Sequence, residues 1–231
     1  MSAAATNINP AARIAIIGGT GKLGAALARR WVKAGLGVII GSREAARAQA
    51  TAATLSRELG ANVASGANAE AAARGEILVV SVPYAAHEET LREIAAAAAG
   101  KLLIDTTVPL VPPKVMRVQL PKEGAAAVKA QLLLGPAVTV VAAFHSVAAH
   151  KLATDAAIDC DVLVFGEQKA ARQRAVDLAR AAGLRGLHGG ALANAAAAEA
   201  LTSVLIFINK TYQVDGAGIR ITGALIEPPD E

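Results

Sequence analysis

The sequence predicts an α/β fold built on a doubly wound parallel sheet. Short apolar runs that end at glycine or proline alternate with alanine-rich segments of helical periodicity, which is typical of βαβ units. The first run leads into a glycine-rich turn, and the fourth is apolar throughout, as in a strand covered on both faces. With 231 residues, 54% of them hydrophobic, the chain can bury such a sheet without a metal or a disulfide.

The first five strands are predicted from buried apolar runs, and the helices between them from apolar residues spaced three or four apart. Gly35 and Gly60 follow the first two helices as C-terminal stop signals. Asn68 is predicted to cap the third helix, because its side chain can accept a hydrogen bond from a free backbone N–H. In order, the predicted segments are strand 13–17, helix 22–34, strand 38–41, helix 44–59, strand 62–64, helix 68–73, strand 77–82, helix 87–99 and strand 102–105.

The alternation breaks at residues 106–121, where four prolines predict a structured loop. We therefore divide the chain into a disordered tail (1–11), a nucleotide-binding domain (12–136) and a small C-terminal α/β domain (137–231). The segments predicted after the loop are helix 125–134, strand 138–144, strand 162–165, helix 168–182, strand 184–187 and helix 194–212.

A glycine motif lies between the first strand and the first helix. Gly19, Gly21 and Gly24 form the pattern G-x-G-x-x-G. In such a motif the first glycine permits a tight turn, the second lets the backbone approach a pyrophosphate, and the third allows helix and strand to pack closely. The helix N-terminus offers free N–H groups and partial positive charge to the phosphates. In this context the motif predicts a Rossmann-type dinucleotide site.

The end of the second strand indicates which dinucleotide is bound. NAD-selective sites place Asp or Glu there to bind the ribose 2′-hydroxyl. This chain has Ser42 and Arg43 instead, with Arg47 one helical turn later. A hydroxyl and two guanidinium groups suit a 2′-phosphate, so we expect NADP; the alternative is that the two arginines only lie on a solvated helix.

Two later strand ends supply further candidates. Val82, Pro83 and Tyr84 follow the fourth strand, where ribose or nicotinamide would lie, although a proline also ends many strands without binding anything. His145 follows the sixth strand and is a candidate proton shuttle, a cofactor contact or a structural residue. The small residues after His145 indicate that a flat group packs close to the backbone.

Several classes of enzyme are excluded by what the sequence lacks. Classical short-chain dehydrogenases need a Tyr-x-x-x-Lys pair, but Glu88 and Gly216 stand four residues after the two tyrosines. The part after Phe144 is too short for the large helical domain of two-domain hydroxyacid dehydrogenases. The four histidines form no i, i+4 pair, so we expect no metal site.

Composition bounds the partners and the compartment. A net charge of +4 with only 3% aromatic residues argues against a nucleic-acid partner. The most apolar segment, Val204–Ile208, is far shorter than the ~20 residues of a membrane span, and the N-terminus lacks the features of a signal peptide. Cys160 is the only cysteine, which favours a reducing compartment. We therefore expect a cytoplasmic protein without a membrane partner.

Beside the predicted dinucleotide site, the sequence shows no set of acid–base residues that would reduce a carbonyl group. This combination fits hydride exchange between two redox cofactors, in which the protein needs only to stack two rings with the reacting carbons ~3–3.5 Å apart. Direct hydride transfer of this kind requires no catalytic side chain, and His145 is the one candidate for such a role.

On these residues the sequence resembles the NADPH-dependent reductases of the deazaflavin coenzyme F420. The resemblance covers about residues 13–223, and its later segments are more specific than the glycine motif. Tyr84 departs from the tryptophan that is common in that family. The segments that carry the resemblance are Ile16–Gly21 with Leu23-Gly24, Gly41-Ser42-Arg43, Val82-Pro83, Phe144-His145-Ser146-Val147 and Gly218-Ile219-Arg220-Ile221-Thr222.

The resemblance implies hydride transfer between nicotinamide C4 and deazaflavin C5, and a homodimer formed through the C-terminal part. Basic residues of the proline-rich loop, Lys114, Arg117 and Lys122, are candidates for the anionic deazaflavin tail. Rival functions are an NADPH-dependent reductase of flavin or of a small molecule, and a non-catalytic NADPH-sensing protein. The implied contacts are Thr20, Lys22, Leu23, Ser42, Arg43, Arg47 and Tyr84 for NADP, and His145, Val147, Ala149 and Ala217 for F420.

Overall fold

Eight strands form one sheet in the computed structural model, which describes residues 12–226. The predicted tail, residues 1–11, lies outside the described residues. The strands are Arg13–Ile17 (β1), Gly37–Ser42 (β2), Ala64–Ala67 (β3), Ile77–Val80 (β4), Leu102–Asp105 (β5), Thr139–Ala142 (β6), Asp161–Phe165 (β7) and Arg185–Gly190 (β8).

Helices cover both faces of this sheet. A short 3₁₀ turn, Leu192–Asn194, leads into the last helix. The helices are Lys22–Lys33 (α1), Ala45–Leu59 (α2), Asn68–Arg74 (α3), Tyr84–Ala98 (α4), Ala126–Leu134 (α5), Ala149–Leu152 (α6), Lys169–Ala181 (α7) and Ala195–Tyr212 (α8).

The strand order confirms the predicted fold class. The sheet runs β3-β2-β1-β4-β5-β6-β7-β8, and β1 to β6 are all parallel. Strands β1 to β3 are added toward one side of the sheet, and β4 to β6 are added toward the other. The gap between β1 and β4 is therefore the topological switch point, where doubly wound folds bind ligands. The strand ends that carry the candidate residues therefore meet at one edge of the sheet.

Each face of the sheet has its own hydrophobic core. One core packs α1, α2 and α7 against the sheet, and the other packs α3, α4, α5 and the start of α8. Trp31 of α1 lies in the first core, fully buried. Its indole N–H donates to the carbonyl of Leu178 in α7 at 2.8 Å, and its ring meets Phe144 edge-on at 5.9 Å between centroids. One side chain thus joins the first helix to the C-terminal part.

The last two strands run against the others. β7 pairs with β6 antiparallel at a single position, Ala142 with Phe165, and β8 pairs parallel to β7. Because both paired residues end their strands, the rest of β7 continues past the carboxyl end of β6. β7 and β8 therefore form a wall above the sheet edge that carries the candidate residues. The sheet is continuous across the predicted boundary at residue 136, and the division into domains stays a prediction.

Several predicted elements have different bounds in the structure. The third strand lies at Ala64–Ala67 rather than 62–64, because pairing with Ile39 to Ser42 of β2 fixes it despite the low strand propensity of Gly66. The fourth helix begins at Tyr84, three residues before its predicted start, because Pro83 is the residue that caps it. The short helix α6 had no counterpart among the predicted segments.

The predicted cap of α3 is wrong. Asn68 is the first residue of the helix, and Ala67 precedes it in the capping position with its backbone N–H bonded to Glu70 at 3.2 Å. The Asn68 side chain points instead to Gly18 in the glycine-rich turn after β1. The residue pattern of a helix does not reveal such a long-range contact.

The segment Leu192–Tyr212 is a longer apolar stretch than the sequence analysis counted. By length and composition alone it is apolar enough to cross a membrane, and 33% of its most apolar window is buried. The sequence estimate counted only Val204–Ile208, whereas the alanines before it extend the apolar stretch. Val204 and Phe207 are exposed on one face of α8, 42% and 51% respectively. The absence of a membrane partner stays a prediction.

Candidate active site

The glycine-rich turn after β1 is held tightly against the ends of β2 and β4. The Gly19 N–H donates to the carbonyls of Ile16 and Gly41, at 3.1 and 2.9 Å. Gly18 has a φ of +76°, and a Cβ there would lie 2.5 Å from Val82 Cγ1. A side chain at Gly24 would meet the Gly19 Cα at 2.9 Å, so only glycine lets α1 start this close to the strand.

Gly21 differs from the other glycines of the turn. It is exposed, and the nearest atom to a Cβ built on it is the Gly18 carbonyl at 3.3 Å. It therefore leaves the N-terminus of α1 open, where free N–H groups suit a pyrophosphate. The turn fits the phosphates of a dinucleotide.

Asn68 supports the turn from the neighbouring element. It is 1% exposed, and its side-chain carbonyl accepts a hydrogen bond from the Gly18 N–H at 3.2 Å. Its amide donates to Glu93 of α4 at 3.4 Å. Asn68 thus ties the turn to α3 and α4, a role that the sequence analysis missed because the contact spans fifty residues.

The end of β2 continues the same cleft. Ser42 is 6% exposed and its hydroxyl accepts from the Glu44 N–H at 3.3 Å, whereas Arg43 and Arg47 are exposed. Arg47 lies 3.7 Å from Glu44 in an exposed ion pair, which is weak in water. Two exposed guanidinium groups and one buried hydroxyl therefore border the position expected for a ribose 2′-phosphate. Glu44 is an acidic neighbour that the sequence analysis did not weigh.

A cavity of about 230 Å³ joins these parts. Seven predicted contacts line it, namely Thr20, Gly21, Ser42, Arg43, Arg47, Val82 and Pro83. Gly18, Glu44, Asn68, Ser81, Ala86 and Thr90 also line it without having been predicted. The predicted residues Gly19, Lys22, Leu23, Gly24 and Tyr84 do not. The ring of Tyr84 faces Lys129 of α5 instead, 5.9 Å from the ammonium to the ring centroid.

A second cavity of about 110 Å³ lies beyond the end of β6. None of the four predicted deazaflavin contacts lines it. Val147 packs into the core and Ala217 donates its N–H to Asn209 at 2.7 Å. The residues that line the cavity are Ser146, Ala148, Lys151, Ala157, Ile158, Asp159, Cys160, Gly216 and Gly218. Lys114, Arg117 and Lys122 line neither cavity.

His145 is buried in the loop that follows β6. It is 7% exposed, and neither ring nitrogen has a protein partner. Burial lowers the pKa of His145 to about 4, so the imidazole is neutral at physiological pH. Its backbone carbonyl accepts from the Thr202 hydroxyl at 3.0 Å, which fixes the loop after β6 against α8. A neutral histidine there can bind a polar group by donating or accepting one hydrogen bond.

A buried ion pair lies under the same edge. The His87 Nε2 of α4 is 2.7 Å from Asp105 Oδ2 at the end of β5, and both residues are 0% exposed. Asp105 also accepts from the Thr107 N–H at 3.0 Å. The charge of each partner sustains the other: the pKa of His87 is raised against the cost of burial, and the pKa of Asp105 is lowered. The two side chains thus favour the charged form of each other.

Glu199 of α8 is a further buried acid. It is 1% exposed, and its oxygens accept from the Ala126 and Ala127 N–H groups at the start of α5, at 2.7 and 3.2 Å. Burial outweighs these bonds and raises the pKa of Glu199 to about 7. The sequence analysis overlooked Glu199, His87 and Asp105. Two signals in the sequence were available. Asp105 is a carboxylate at the end of a buried apolar strand, and Glu199 is a lone acid in an apolar helix.

Comparison with known proteins places the chain in a family. The profile of the family described as coenzyme F420-dependent NADP oxidoreductase matches residues 13–109. An F420-dependent NADP reductase of Methanothermobacter thermautotrophicus is 38% identical over 219 residues, covering 91% of this chain and 94% of that protein. The chain belongs to the family of F420-dependent NADP reductases. The F420-dependent NADP reductase of Methanocaldococcus jannaschii is 34% identical, covering 91% and 98%.

Solved structures agree with this assignment to the reductase family. A structure from Arthrobacter sp. FB24, described as a candidate F420-dependent NADP reductase, has a TM-score of 0.77 and 25% identity, covering 91% of this chain and 99% of that one. The resemblance read from the sequence is thus confirmed at the level of the family. The roles of individual site residues stay predictions. In residues 12–226 no group of three or more His, Cys, Asp or Glu side chains is placed to hold a metal.

Proposed function

We propose that this chain transfers a hydride between NADP(H) and the deazaflavin coenzyme F420. The similarity to curated F420-dependent NADP reductases along 91% of the chain carries the proposal. The open glycine turn and the cavity beside Ser42, Arg43 and Arg47 support it, because they suit a pyrophosphate and a 2′-phosphate. When bound, the two cofactors supply the hydride chemistry, and the protein binds and orients them.

The chain's own residues have three tasks in this reaction. The turn from Gly18 to Gly24 holds the phosphates, and the end of β2 selects NADP. Val82 and Pro83 border the cleft toward the nicotinamide. The loop after β6, through Ser146 and Ala148, and the segment 157–160 that precedes β7 enclose the second carrier and exclude water. His145, neutral and buried, belongs to the loop that carries Ser146 and Ala148, and its carbonyl bond to Thr202 holds that loop against α8.

Oxidation of NADPH with F420 and with competing acceptors tests the proposal. F420, FMN, FAD and riboflavin are each given at micromolar concentration, and NADPH absorbance is followed by stopped flow. We expect rapid turnover with F420, and with NADPH in preference to NADH. Turnover with flavins alone would favour a flavin reductase. NADPH binding without turnover would favour a sensing protein.

We infer further that the enzyme is a homodimer in the cytoplasm and that α8 supplies the contact. Val204 and Phe207 are three residues apart and expose apolar side chains on one face of this helix. Two copies of the same helix can cover each other across a two-fold axis. The single buried free cysteine, Cys160, fits a reducing compartment.

A further inference from the structure

The segment that follows α8 returns along β7 and forms what we call the C-terminal strap (residues 214–221). Its position depends on Asp161, the first residue of β7, which is 0% exposed. The Asp161 N–H donates to the Ile219 carbonyl at 2.8 Å, and the Asp161 carboxylate accepts from the Ile221 N–H at 2.6 Å. One backbone bond and one side-chain bond of this residue therefore fasten the strap to the sheet.

Arg185, the first residue of β8, completes the attachment. Its guanidinium donates to both oxygens of Asp161, at 2.7 and 2.6 Å, and to the Ile221 carbonyl at 2.8 Å. This two-point pairing keeps Asp161 ionised: Arg185 and the Ile221 N–H hold the pKa of Asp161 below its ordinary value despite burial. Asp161 and Arg185 thus form a clamp that grips the strap by two residues, Ile219 and Ile221.

The clamped strap is one wall of the second cavity. Gly216 and Gly218 line that cavity opposite Ser146, Ala148 and Cys160. A Cβ at Gly218 would lie 2.6 Å from Cys160 Sγ, and a Cβ at Gly216 would lie 2.6 Å from that of Ala148. There is no room for a side chain at either glycine, so the strap lies close to the opposite wall. The anchoring of the strap therefore decides how wide the cavity is.

Apolar packing contributes little to this anchoring. Val214, Asp215, Gly218 and Arg220 are all exposed. Other attachments are the bonds from the Val214 and Ala217 N–H groups to Asn209. The exposed pairs of Asp215 with His150 and of Arg220 with Asp159 contribute little in water. The clamp is therefore the principal buried attachment at the C-terminal end of the strap.

We propose that Asp161 is a positioning residue for the second carrier, because through the strap it sets the width of the cavity that admits the planar ring of the acceptor. The inference rests on the proposed function for the identity of that acceptor. It also accounts for the segment Gly218–Thr222 of the family resemblance: the glycine permits the close approach, and the following backbone is what the clamp grips.

The test compares Asp161→Asn with Asp155→Asn in the full chain. Asp155 lies in the segment before β7 and pairs with Arg29 and Lys33 rather than with the strap, so it is a matched loss of one charge. Because breaking a buried ion pair is destabilising, Gly218→Ala is a second variant, which keeps the clamp and displaces the strap by contact with Cys160. The measurements are amide hydrogen exchange of residues 214–226 and the KM values for F420 and NADPH.

We expect both Asp161→Asn and Gly218→Ala to raise the KM for F420 about tenfold or more, while the KM for NADPH stays within about twofold. Exchange of the strap should rise in Asp161→Asn and stay unchanged in Asp155→Asn, with α7 protected in all variants. A freed strap with an unchanged KM for F420, or equal rises of both KM values, overturns the inference.

The wild-type chain reports separately on the proposed function. If it reduces a flavin and not F420, the proposed function is wrong, and the same comparison of KM values is made with that flavin. If it reduces none of these acceptors, the strap has no carrier to position and the inference falls with the proposed function.

Discussion

The proposed selection of NADP depends on single residues at the end of β2. Arg43 and Arg47 border the cavity, and each charge-assisted hydrogen bond to a phosphate contributes about 1.5–3 kcal/mol. We expect Arg43→Glu to lower the preference for NADPH over NADH by about tenfold or more, because a carboxylate repels the 2′-phosphate and can bind a 2′-hydroxyl. The ratio of kcat/KM for the two nucleotides measures this.

Arg57→Glu is the matched control for that substitution. Arg57 is exposed in the last turn of α2, the helix that follows Arg43, so the change in charge is equal while the cavity is untouched. An unchanged nucleotide preference in Arg43→Glu, or an equal shift in both variants, would mean that Arg43 does not bind the 2′-phosphate.

Asn68 is expected to act on nucleotide binding without touching the chemistry. Asn68→Ala removes the acceptor of the Gly18 N–H, which loosens the turn, and we expect the Kd for NADPH to rise about tenfold. Fluorescence titration with NADPH checks this. Glu93→Gln removes the charge of the other Asn68 partner and leaves the turn bonded, so it should bind NADPH as the wild type does. Equal Kd values for wild type and Asn68→Ala would contradict the role.

At the scale of elements, the exposed face of α8 makes a prediction about assembly. Phe207 is 51% exposed, and a charge there costs nothing in a monomer but would be buried without a partner in a dimer. We therefore expect Phe207→Glu to be monomeric by light scattering, with unchanged far-UV circular dichroism. Arg57→Glu introduces a carboxylate at an exposed position of α2, away from this face, and serves as the control. A Phe207→Glu variant that stays dimeric rules out this face.

The sequence predicted elements well wherever local pattern and tertiary contacts agree. The strand before the glycine motif was bounded correctly because an apolar run and glycines mark its ends. β3 was misplaced because Ser65 and Gly66 have little strand propensity. They form a strand only because they pair with β2. Asn68, Asp105 and Glu199 were missed as site residues for a related reason. Each depends on a partner far away in the chain, so no spacing in the sequence reveals it.

At the scale of the whole molecule, two buried groups give opposite dependences of stability on pH. The pKa of His145 is lowered to about 4, so its contribution to stability is present above its unfolded pKa and is lost as pH falls toward 4. The pKa of Glu199 is raised to about 7, so its contribution is present below its unfolded pKa and is lost as pH rises toward 7. Each shift corresponds to on the order of 3 kcal/mol.

Between about pH 4.5 and 6.5 the two slopes oppose each other, and single variants should separate them. We expect the unfolding free energy of His145→Gln to fall as pH rises through this range, and that of Glu199→Gln to rise. Urea denaturation at several pH values, relative to wild type, measures both slopes. Parallel curves for the two variants would show that these groups do not titrate as burial requires.

The placement of Trp31 has a practical consequence. It is the only tryptophan of the chain, and it lies fully buried where α1 meets α7. The intrinsic emission of the protein therefore comes from the seam between the first βαβ unit and the C-terminal part. A red shift of that emission would indicate water entering this contact. The unlabelled protein therefore has an intrinsic fluorescence probe of whether the two parts stay in contact during catalysis or denaturation.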